Sequence, residues 1–316
     1  MTVSGVLLAA GRGRRLRPLT DLVPKPALPL LDVPLGLTSL RALVGASASV
    51  VVNVSHLGQQ VVEALSCRST EGVEVFDEGP EPYGTGGTLA ALRSRLPGTV
   101  LVANGDLLSD LDPHDLLERH AAAGARLTLA VHEVSSGADL KIGDGWATGF
   151  IDRRATSTGG ARYLGMAAFD PAALDGLPDR RPLGLAEAVF RPMIETGNVA
   201  VHVHDGYALD VGTIERYLQA NDDVLNGRLG TIVSPGEILP LATGGRAYLG
   251  FDAHAPPATL GSGAVVLRGA AVPAGAMVRA AVVWPNERVP PDARVERAVW
   301  AGGRAVTKEE NVRPDP

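Results

Sequence analysis

The feature that most constrains the fold is an alternation of short β-type runs with helix-like stretches over the first two thirds of the chain. The segments, in order, are Val3–Ala9, Leu37–Leu43, Val50–Val54, Gln59–Leu65, Val73–Phe76, Leu89–Leu96, Thr99–Ala103, Leu111–Ala123 and Leu127–Val131. This βαβα order predicts a mainly parallel sheet with helices on both faces. Functional side chains are then expected at the carboxyl ends of the strands.

The pattern changes in the second part of this region. Residues 138–169 have short strands and Gly-containing turns, as expected for an inserted β element that walls off one side of a pocket. A helix over 185–196, a strand over 199–203 and a helix from Ile214 to Leu225 follow. We therefore predict an α/β catalytic domain with a Rossmann-like sheet over residues 1–228.

Residues 229–316 have a different composition, rich in Gly, Pro, Ala and Val. Valines recur every six residues at Val266, Val272 and Val278, the spacing is interrupted over Trp284–Arg288, and it resumes at Val289 and Val295. This spacing predicts a short C-terminal domain resembling a hexapeptide β-helix, and the alternative is an irregular Pro/Gly-rich tail. The exposed ends of a repeat array are aggregation-prone unless another surface packs on them. This domain is therefore expected to pack on the catalytic domain or to form a homodimer.

Composition excludes several classes of protein. A net charge of −6 and a charged fraction of 20% argue against a general nucleic-acid binder. The single cysteine, Cys67, allows no internal disulfide, and the N-terminus has neither a membrane span nor an export signal, so a cytoplasmic protein is expected. A hexapeptide acyltransferase would need a histidine base, and no histidine follows His254.

The segment from Leu7 to Thr20 carries a Gly-rich turn directly after the first strand. Backbone N–H groups at Gly11 and Gly13 can point into one concavity that suits a triphosphate. Four arginines add positive charge, at positions 12, 14, 15 and 17. Leu16 replaces the third glycine of the dinucleotide motif, and the Gly-Lys-Ser/Thr of the P-loop is missing. The alternative is a solvated basic loop.

Lys25 follows this segment and stands between Pro24 and Pro26. The flanking prolines fix the backbone and hold one ammonium group in place. This arrangement predicts a positioned cation for a phosphate group.

Two carboxylates follow apolar strands. Asp106 ends the run Leu101-Val-Ala-Asn-Gly-Asp, and Asp210 stands between a short strand and a helix. Magnesium at phosphate sites takes one or two carboxylates together with substrate oxygens, so both are candidate metal ligands. Taken alone, the first is more typical of an ordinary Asn-Gly-Asp turn than of a metal site.

A third small-residue segment, Tyr83-Gly-Thr-Gly-Gly-Thr88, opens a helix. Its small residues would let a nucleobase or a ribose approach the backbone closely. A plain helix-entry turn is the alternative.

Together these segments resemble the family of nucleotidyltransferases that make nucleotide sugars. The family signature is Leu-Ala-Ala-Gly-x-Gly-x-Arg-Leu-x-Pro-Leu-Thr followed by Pro-Lys-Pro, and this chain carries it over residues 7–26. Asn104-Gly-Asp106, Tyr163-Leu-Gly-Met166 and Asp210-Val-Gly-Thr213 follow in the family's order, so the resemblance covers roughly residues 3–226. It implies a Rossmann-like, GT-A-like nucleotidyltransferase fold and a magnesium-dependent enzyme.

The resemblance also implies residue roles. Gly11 and Gly13 would cradle the triphosphate, Arg15 would hold the departing pyrophosphate, and Lys25 would contact the α-phosphate. Asp106 and Asp210 would hold Mg²⁺, with Asp106 counted among the catalytic residues. The nucleoside would be bordered by Leu8, Ala9, Gly84, Thr85 and Gly86, and the sugar phosphate by Asp152, Arg153, Gly165 and Asp210.

One departure from the family pattern concerns the acceptor. Asp152 and Arg153 stand where many members have a Glu-Lys pair, and these side chains are not equivalent. An altered sugar or a sugar-like cyclitol 1-phosphate is therefore considered beside the usual acceptors. The segment Val50–His56 and Asn104-Gly-Asp106 resemble mannose-1-phosphate guanylyltransferases, which favours GTP over UTP.

Two alternatives stay open. One is a uridylyl- or thymidylyltransferase of the same family. The other is a catalytically silent regulatory subunit that senses nucleotide sugars.

Overall fold

The computed structural model describes residues 2–151, 159–178, 181–230, 232 and 234–309. The helices are α1 Leu19–Leu22, α2 Leu37–Ala46, α3 Gly58–Ala64, α4 Thr85–Leu92, α5 Pro113–Ala123, α6 Arg191–Glu195 and α7 Ile214–Leu225, and a π-helical turn Ala186–Phe190 precedes α6. The strands are β1 Val3–Leu8, β2 Pro29–Leu30, β3 Val33–Pro34, β4 Ser49–Val54, β5 Val73–Asp77, β6 Thr99–Asn104, β7 Leu107–Ser109, β8 Leu127–Val134, β9 Leu140–Gly143, β10 Trp146–Phe150, β11 Gly160–Phe169, β12 Val199–Val203, β13 Ala208–Asp210, β14 Glu237–Pro240, β15 Arg246–Leu249, β16 Ala264–Val266, β17 Met277–Arg279, β18 Ala281–Val283, β19 Arg294–Glu296, β20 Val299–Ala301 and β21 Arg304–Val306.

The chain packs into two compact units. The first comprises residues 1–11 and 38–208, and the second comprises residues 12–37 and 209–316. This division differs from the predicted boundary between residues 228 and 229, because residues 12–37 and α7 pack with the C-terminal segment. As a division of function, domains over 1–228 and 229–316 stay a prediction.

The first unit is built on a nine-stranded sheet with the order β5-β4-β1-β6-β11-β8-β12-β10-β9. The strands β5, β4, β1 and β6 are parallel, whereas β11 is antiparallel to both β6 and β8. The sheet is therefore mixed: β12 is also parallel to β8, so the expectation of a mainly parallel sheet holds for β5, β4, β1, β6, β8 and β12, and β11 is the antiparallel strand between them. The antiparallel strand β11 is buried along most of its length and lies between β6 and β8 in the middle of the sheet.

Two helices show how local sequence sets the element ends. Asp112 caps α5 by accepting a hydrogen bond from the His114 N–H at 2.9 Å, and Gly124 ends the helix at a φ of +57°. Thr213 caps α7 by accepting from the Arg216 N–H at 3.2 Å. The predicted helix from Ile214 to Leu225 is confirmed with these bounds.

The second unit contains β14–β21, which we name the C-terminal strand array. Six of these strands form a sheet with the order β14-β15-β16-β18-β20-β21, and β15, β16, β18 and β20 run parallel. Ala264 pairs with Ala281, 17 residues later, and Val278 of β17 pairs with Val295 of β19 at the same spacing. The five valines of the six-residue pattern are all buried, from Val266 to Val295.

β-pairing in the array also continues through the segment where the valine spacing is interrupted, since Ala271 forms a bridge with Arg288.

Among the described residues, no helix has both the length and the apolar character that crossing a membrane requires.

Candidate active site

Leu8 lies at the carboxyl end of β1, between two strands that each carry an asparagine. It is in register with Asn53 of β4 and with Asn104 of β6. The Ala9 N–H donates to Asn53 Oδ1 at 2.6 Å, and the Gly105 N–H donates to the Leu8 carbonyl at 2.9 Å. Both neighbouring strands therefore hold the backbone turn that leaves β1.

A buried carboxylate, Glu78, connects this turn to the segment that opens α4. Glu78 is 5% exposed and its Oε1 accepts from Asn53 Nδ2 at 2.8 Å and from Thr88 Oγ1 at 2.6 Å. Its Oε2 accepts from the Tyr83 N–H at 2.7 Å. Sequence reasoning missed Glu78, because a Glu-Gly-Pro-Glu turn is typical of a solvated loop.

The small residues at the start of α4 pack against the backbone near Leu183. Gly84 has a φ of +77°, and a Cβ there would lie 2.5 Å from the Leu183 carbonyl oxygen. The Gly86 N–H donates to that oxygen at 2.8 Å, and the Thr85 hydroxyl accepts from the Leu185 N–H at 2.9 Å. Gly84 and Gly86 thus admit a neighbouring chain segment, while contact with a nucleoside stays a prediction.

A cavity of about 790 Å³ lies in this unit. It includes predicted residues Leu8 and Thr85 together with Asn104 of the Asn-Gly-Asp motif. The other lining residues come from β9–β11 and the helical segment after 184, and they are Asp139, Leu140, Phe150, Ile151, Tyr163, Leu185, Ala186, Glu187, Phe190 and Arg191. The volume is in the range of ligand pockets.

Asn104 also contacts the bulged part of β11. The pairing of β11 with β8 shifts register between Tyr163 and Ala167, and Gly165 has a φ of +100°. A Cβ at Gly165 would lie 2.8 Å from Asn104 Nδ2, so only glycine allows this approach. Gly165 therefore lies beside Asn104 of the Asn-Gly-Asp motif, and its role at the sugar phosphate stays a prediction.

Tyr163 forms one wall of the cavity. Burial, and then the charges of Asp106 and Asp139, raise the pKa of its phenol, which stays protonated at neutral pH. Its ring meets Phe190 edge to face at 5.2 Å, and its N–H donates to Asp139 Oδ1 at 3.1 Å. The pKa shift also reflects the proximity of Asp106 to this wall.

Glu187 and Arg191 add opposite charges to the lining. They are four residues apart across the π-helical turn, which closes with the Arg191 N–H donating to the Ala186 carbonyl. The Arg191 guanidinium lies 4.6 Å from the centre of the Phe150 ring. Sequence reasoning missed both residues, because a π turn has no simple sequence signal.

The second unit groups predicted Arg15, Lys25 and Asp210. Lys25 Nζ lies 3.8 Å from Asp210 Oδ1, and Lys25 is only 13% exposed. A Cβ at Gly212 would lie 2.7 Å from Arg15 Nη2 and 3.2 Å from Asp210 Oδ1. The glycine of the Asp-Val-Gly-Thr motif therefore makes room for the Arg15 guanidinium beside the carboxylate.

Arg216, which was not predicted, also contacts Asp210. Its Nη1 donates to the Asp210 carbonyl at 3.0 Å and lies 3.6 Å from Asp210 Oδ2. Three cations, those of Arg15, Lys25 and Arg216, thus surround one carboxylate that is 46% exposed. This excess of positive charge suits a polyphosphate.

The two glycines of the predicted phosphate turn differ in surroundings. Gly13 has a φ of +62°, and a Cβ there would lie 2.8 Å from Thr20 Cγ2. At Gly11, no described atom lies within 4 Å of the Cβ position. Gly13 is therefore required by the local backbone, while Gly11 leaves open space.

The predicted metal ligands are carboxylates, one in each unit. Among the described residues, no group of three or more His, Cys, Asp or Glu side chains converges as a metal site. A single carboxylate supplemented by substrate oxygens is a donor type that Mg²⁺ prefers at phosphate sites, so the chemistry of each aspartate taken by itself fits this ion, and Mg²⁺ binding stays a prediction.

The predicted pair Asp152 and Arg153 lies outside the described residues. His202 lies on β12 and His204 directly follows that strand. In the structure, His204 Nε2 bonds Asp110 Oδ1 at 2.8 Å and its ring stacks on His132 at 5.5 Å.

Comparisons with known proteins identify the family. The family Nucleotidyl transferase matches residues 4–141. N-acetylmuramate alpha-1-phosphate uridylyltransferase of Neisseria meningitidis serogroup B is 32% identical over 69% of this chain and 96% of its own length. The chain therefore belongs to the nucleotidyl transferase family and is an enzyme of that class, which confirms the resemblance seen in the sequence.

A second relative spans more of the chain. Mannose-1-phosphate guanylyltransferase of Mycobacterium tuberculosis (strain ATCC 25618 / H37Rv) is 28% identical over 93% of this chain and 83% of its own length. Among solved structures, HddC from Yersinia pseudotuberculosis superposes with a TM-score of 0.59 at 22% identity, over 70% of this chain and 99% of that chain. This likeness confirms the α/β fold class.

Proposed function

We propose that this enzyme transfers a nucleotidyl group from a nucleoside triphosphate to a sugar or cyclitol 1-phosphate, releasing pyrophosphate. The observation that carries the proposal is the cluster in the second unit, where Arg15, which follows the Gly-rich turn, lies with Lys25 and Arg216 beside Asp210. Such a cluster stabilises negative charge on phosphoryl oxygens. The cavity lined by Leu8, Thr85 and Asn104 supplies space for ligand.

The proposed chemistry needs no protein nucleophile. An oxygen of the acceptor phosphate attacks the α-phosphorus in line, the new P–O bond forms, and the bond to the bridging oxygen breaks so that pyrophosphate leaves. Lys25 stabilises charge that grows at the α-phosphate, and Arg15 holds the leaving pyrophosphate. Gly11 and Gly13 approach the triphosphate with their backbone.

Mg²⁺ is the proposed cofactor, with Asp106 and Asp210 as its ligands. When bound, it would neutralise phosphate charge. Lys25 and Arg216 orient the Asp210 carboxylate, since both cations lie within 4 Å of it.

GTP is the favoured triphosphate and UTP the second choice. A guanylyltransferase relative spans most of the chain, while a uridylyltransferase relative shares the higher identity over a shorter part. HddC from Yersinia pseudotuberculosis has also been solved in complex with GMP-PN. Leu8, Ala9 and residues 84–86 are the proposed nucleoside contacts.

The proposal extends to the C-terminal strand array. We infer that it is a short β-helix, which is supported by parallel strands paired 17 residues apart and by its buried valines. A homodimer through this array is proposed as well, because its edge strand β14 and the exposed Ile238 would otherwise face solvent.

The test measures pyrophosphate release from GTP, UTP, dTTP, CTP and ATP with a panel of sugar and cyclitol 1-phosphates, with Mg²⁺ or EDTA. We expect acceptor-dependent release that EDTA abolishes and one triphosphate that dominates. Nucleotide binding without release for any acceptor would instead favour the silent regulatory subunit.

Lys25→Ala and Asp210→Asn probe the cluster. By analogy with the loss of one oxyanion donor, each should lower kcat by ~100 to 1,000-fold. Arg41→Ala is the matched control, because Arg41 is exposed on α2. Equal activity of Lys25→Ala and Arg41→Ala would refute the assigned role of Lys25.

A further inference from the structure

The segment that carries Lys25 is fixed internally. We name residues 24–34 the lysine loop. It contains a 3₁₀ turn, Lys25–Ala27, in which the Ala27 N–H donates to the Pro24 carbonyl at 2.8 Å and the Leu28 N–H donates to the Lys25 carbonyl at 3.2 Å. Two prolines and this turn leave the backbone little freedom between Lys25 and the strand β2. A shift at Pro29 would therefore be transmitted to Lys25.

A tyrosine of α7 holds the lysine loop at Pro29. The hydroxyl of Tyr217 donates to the Pro29 carbonyl at 2.5 Å, and Trp284 Nε1, in the C-terminal strand array, donates to the same hydroxyl at 3.2 Å. Tyr217 is fully buried, and burial is the main cause that raises the pKa of its phenol. The hydroxyl thus stays protonated and links the array to the lysine loop.

Asp32 attaches the far end of the loop to the array. Its Oδ2 accepts from the Tyr248 hydroxyl at 2.8 Å, and its Oδ1 accepts from the Arg268 N–H at 2.9 Å. Asp32 has a φ of +65°, which fits the tight turn between β2 and β3.

Two bonds hold the intervening Leu31. Its N–H donates to Asn221 Oδ1 at 3.3 Å, and its carbonyl accepts from Ser234 Oγ at 2.7 Å. Pro29, Leu31 and Asp32 are thus each bonded to α7, to the array or to the segment between them.

We infer that the C-terminal strand array, acting with α7, positions Lys25 for catalysis, and that Tyr217 and Trp284 are its positioning residues. The inference rests on the proposed role of Lys25 at the α-phosphate. The array is then part of the catalytic apparatus rather than an independent appendage. Five hydrogen bonds to three loop residues carry this link.

The test is Tyr217→Phe, which keeps the ring and removes the hydroxyl that joins Pro29 to Trp284. A small displacement of a catalytic group can lower turnover by about 100-fold, so kcat should fall about 10 to 100-fold while the KM for the acceptor is unchanged. Trp284→Phe removes only the hydrogen bond from Trp284 to the Tyr217 hydroxyl and should give a smaller fall in kcat. It also replaces Tyr217→Phe as the test if that variant does not fold.

A double-mutant cycle separates positioning from general stability. In a Lys25→Ala background, Tyr217→Phe should lower kcat no further. Val278→Ala is the matched control, because Val278 is buried in the array. It should lower the melting temperature without the loss of kcat.

The possible results are distinct. An equal loss of kcat from Tyr217→Phe in both backgrounds, an unchanged kcat in the wild-type background, or the same loss from Val278→Ala would overturn the inference. Full activity of Lys25→Ala would refute the proposed function of Lys25 and the inference with it. A loss seen only when Lys25 is present supports the inference.

Discussion

The buried Glu78 offers the sharpest test of how the proposed nucleoside-binding part of the site is held. Its two oxygens accept three donors, from Asn53, Tyr83 and Thr88, at 2.6 to 2.8 Å. Glu78→Gln keeps the shape but replaces one acceptor oxygen with an NH₂ group. In either amide orientation, at least one buried N–H then faces another donor.

The expected loss of stability follows from the unsatisfied N–H group that Glu78→Gln leaves buried. An unsatisfied buried donor costs about 1 to 3 kcal/mol, and hydrogen bonds to a charged group are stronger than those to a neutral amide. We therefore expect Glu78→Gln to lower the free energy of unfolding by about 2 to 4 kcal/mol. At roughly 2 to 4 °C per kcal/mol for a unit of this size, the melting temperature should fall by about 5 to 15 °C.

Urea unfolding followed by circular dichroism measures the change in the free energy of unfolding. The KM for the triphosphate should also rise, because Asn53, a partner of Glu78, accepts a hydrogen bond from the Ala9 N–H. Glu71→Gln is the control, since Glu71 is exposed and should change stability by no more than about 0.5 kcal/mol. Equal stability of the two variants would show that Glu78 is not bonded as described.

Three further predictions concern backbone and titration. Gly84→Ala should lower the melting temperature more than Gly79→Ala. Both residues have φ near +77°, but only at Gly84 would a Cβ meet the Leu183 carbonyl, and no described atom lies within 4 Å of the Cβ position at Gly79. Equal losses would show that packing against Leu183 does not require the glycine. Burial lowers the pKa of His120, so the unfolded chain binds a proton before the folded protein does as pH falls. The free energy of unfolding should therefore decline below about pH 6.5. His120→Gln should reduce that decline, measured by urea titrations at pH 7.5 and pH 5. Asp112→Ala removes the α5 cap and should cost about 1 kcal/mol, with unchanged stability counting against the cap.

Several parts of the fold could be read from the chain. The first parallel strands, α5, α7 and the buried valines of the C-terminal strand array were predicted, because apolar spacing and capping residues act over short stretches. The place of β11 could not be predicted, because a buried strand has the same pattern whether its neighbours run parallel or antiparallel.

The sequence by itself determined which residue types the candidate site offers, since Lys25, Asp106 and Asp210 were selected from motifs whose residue types suit phosphate and Mg²⁺, and their roles stay predictions. Only the tertiary structure decided which distant residues hold the backbone and the side chains around these candidates. Glu78, Tyr217 and the Gly212 contact with Arg15 depend on partners far apart in the chain, and no local pattern encodes such a pairing. Motifs report what a ligand needs, whereas positioning depends on packing between distant segments.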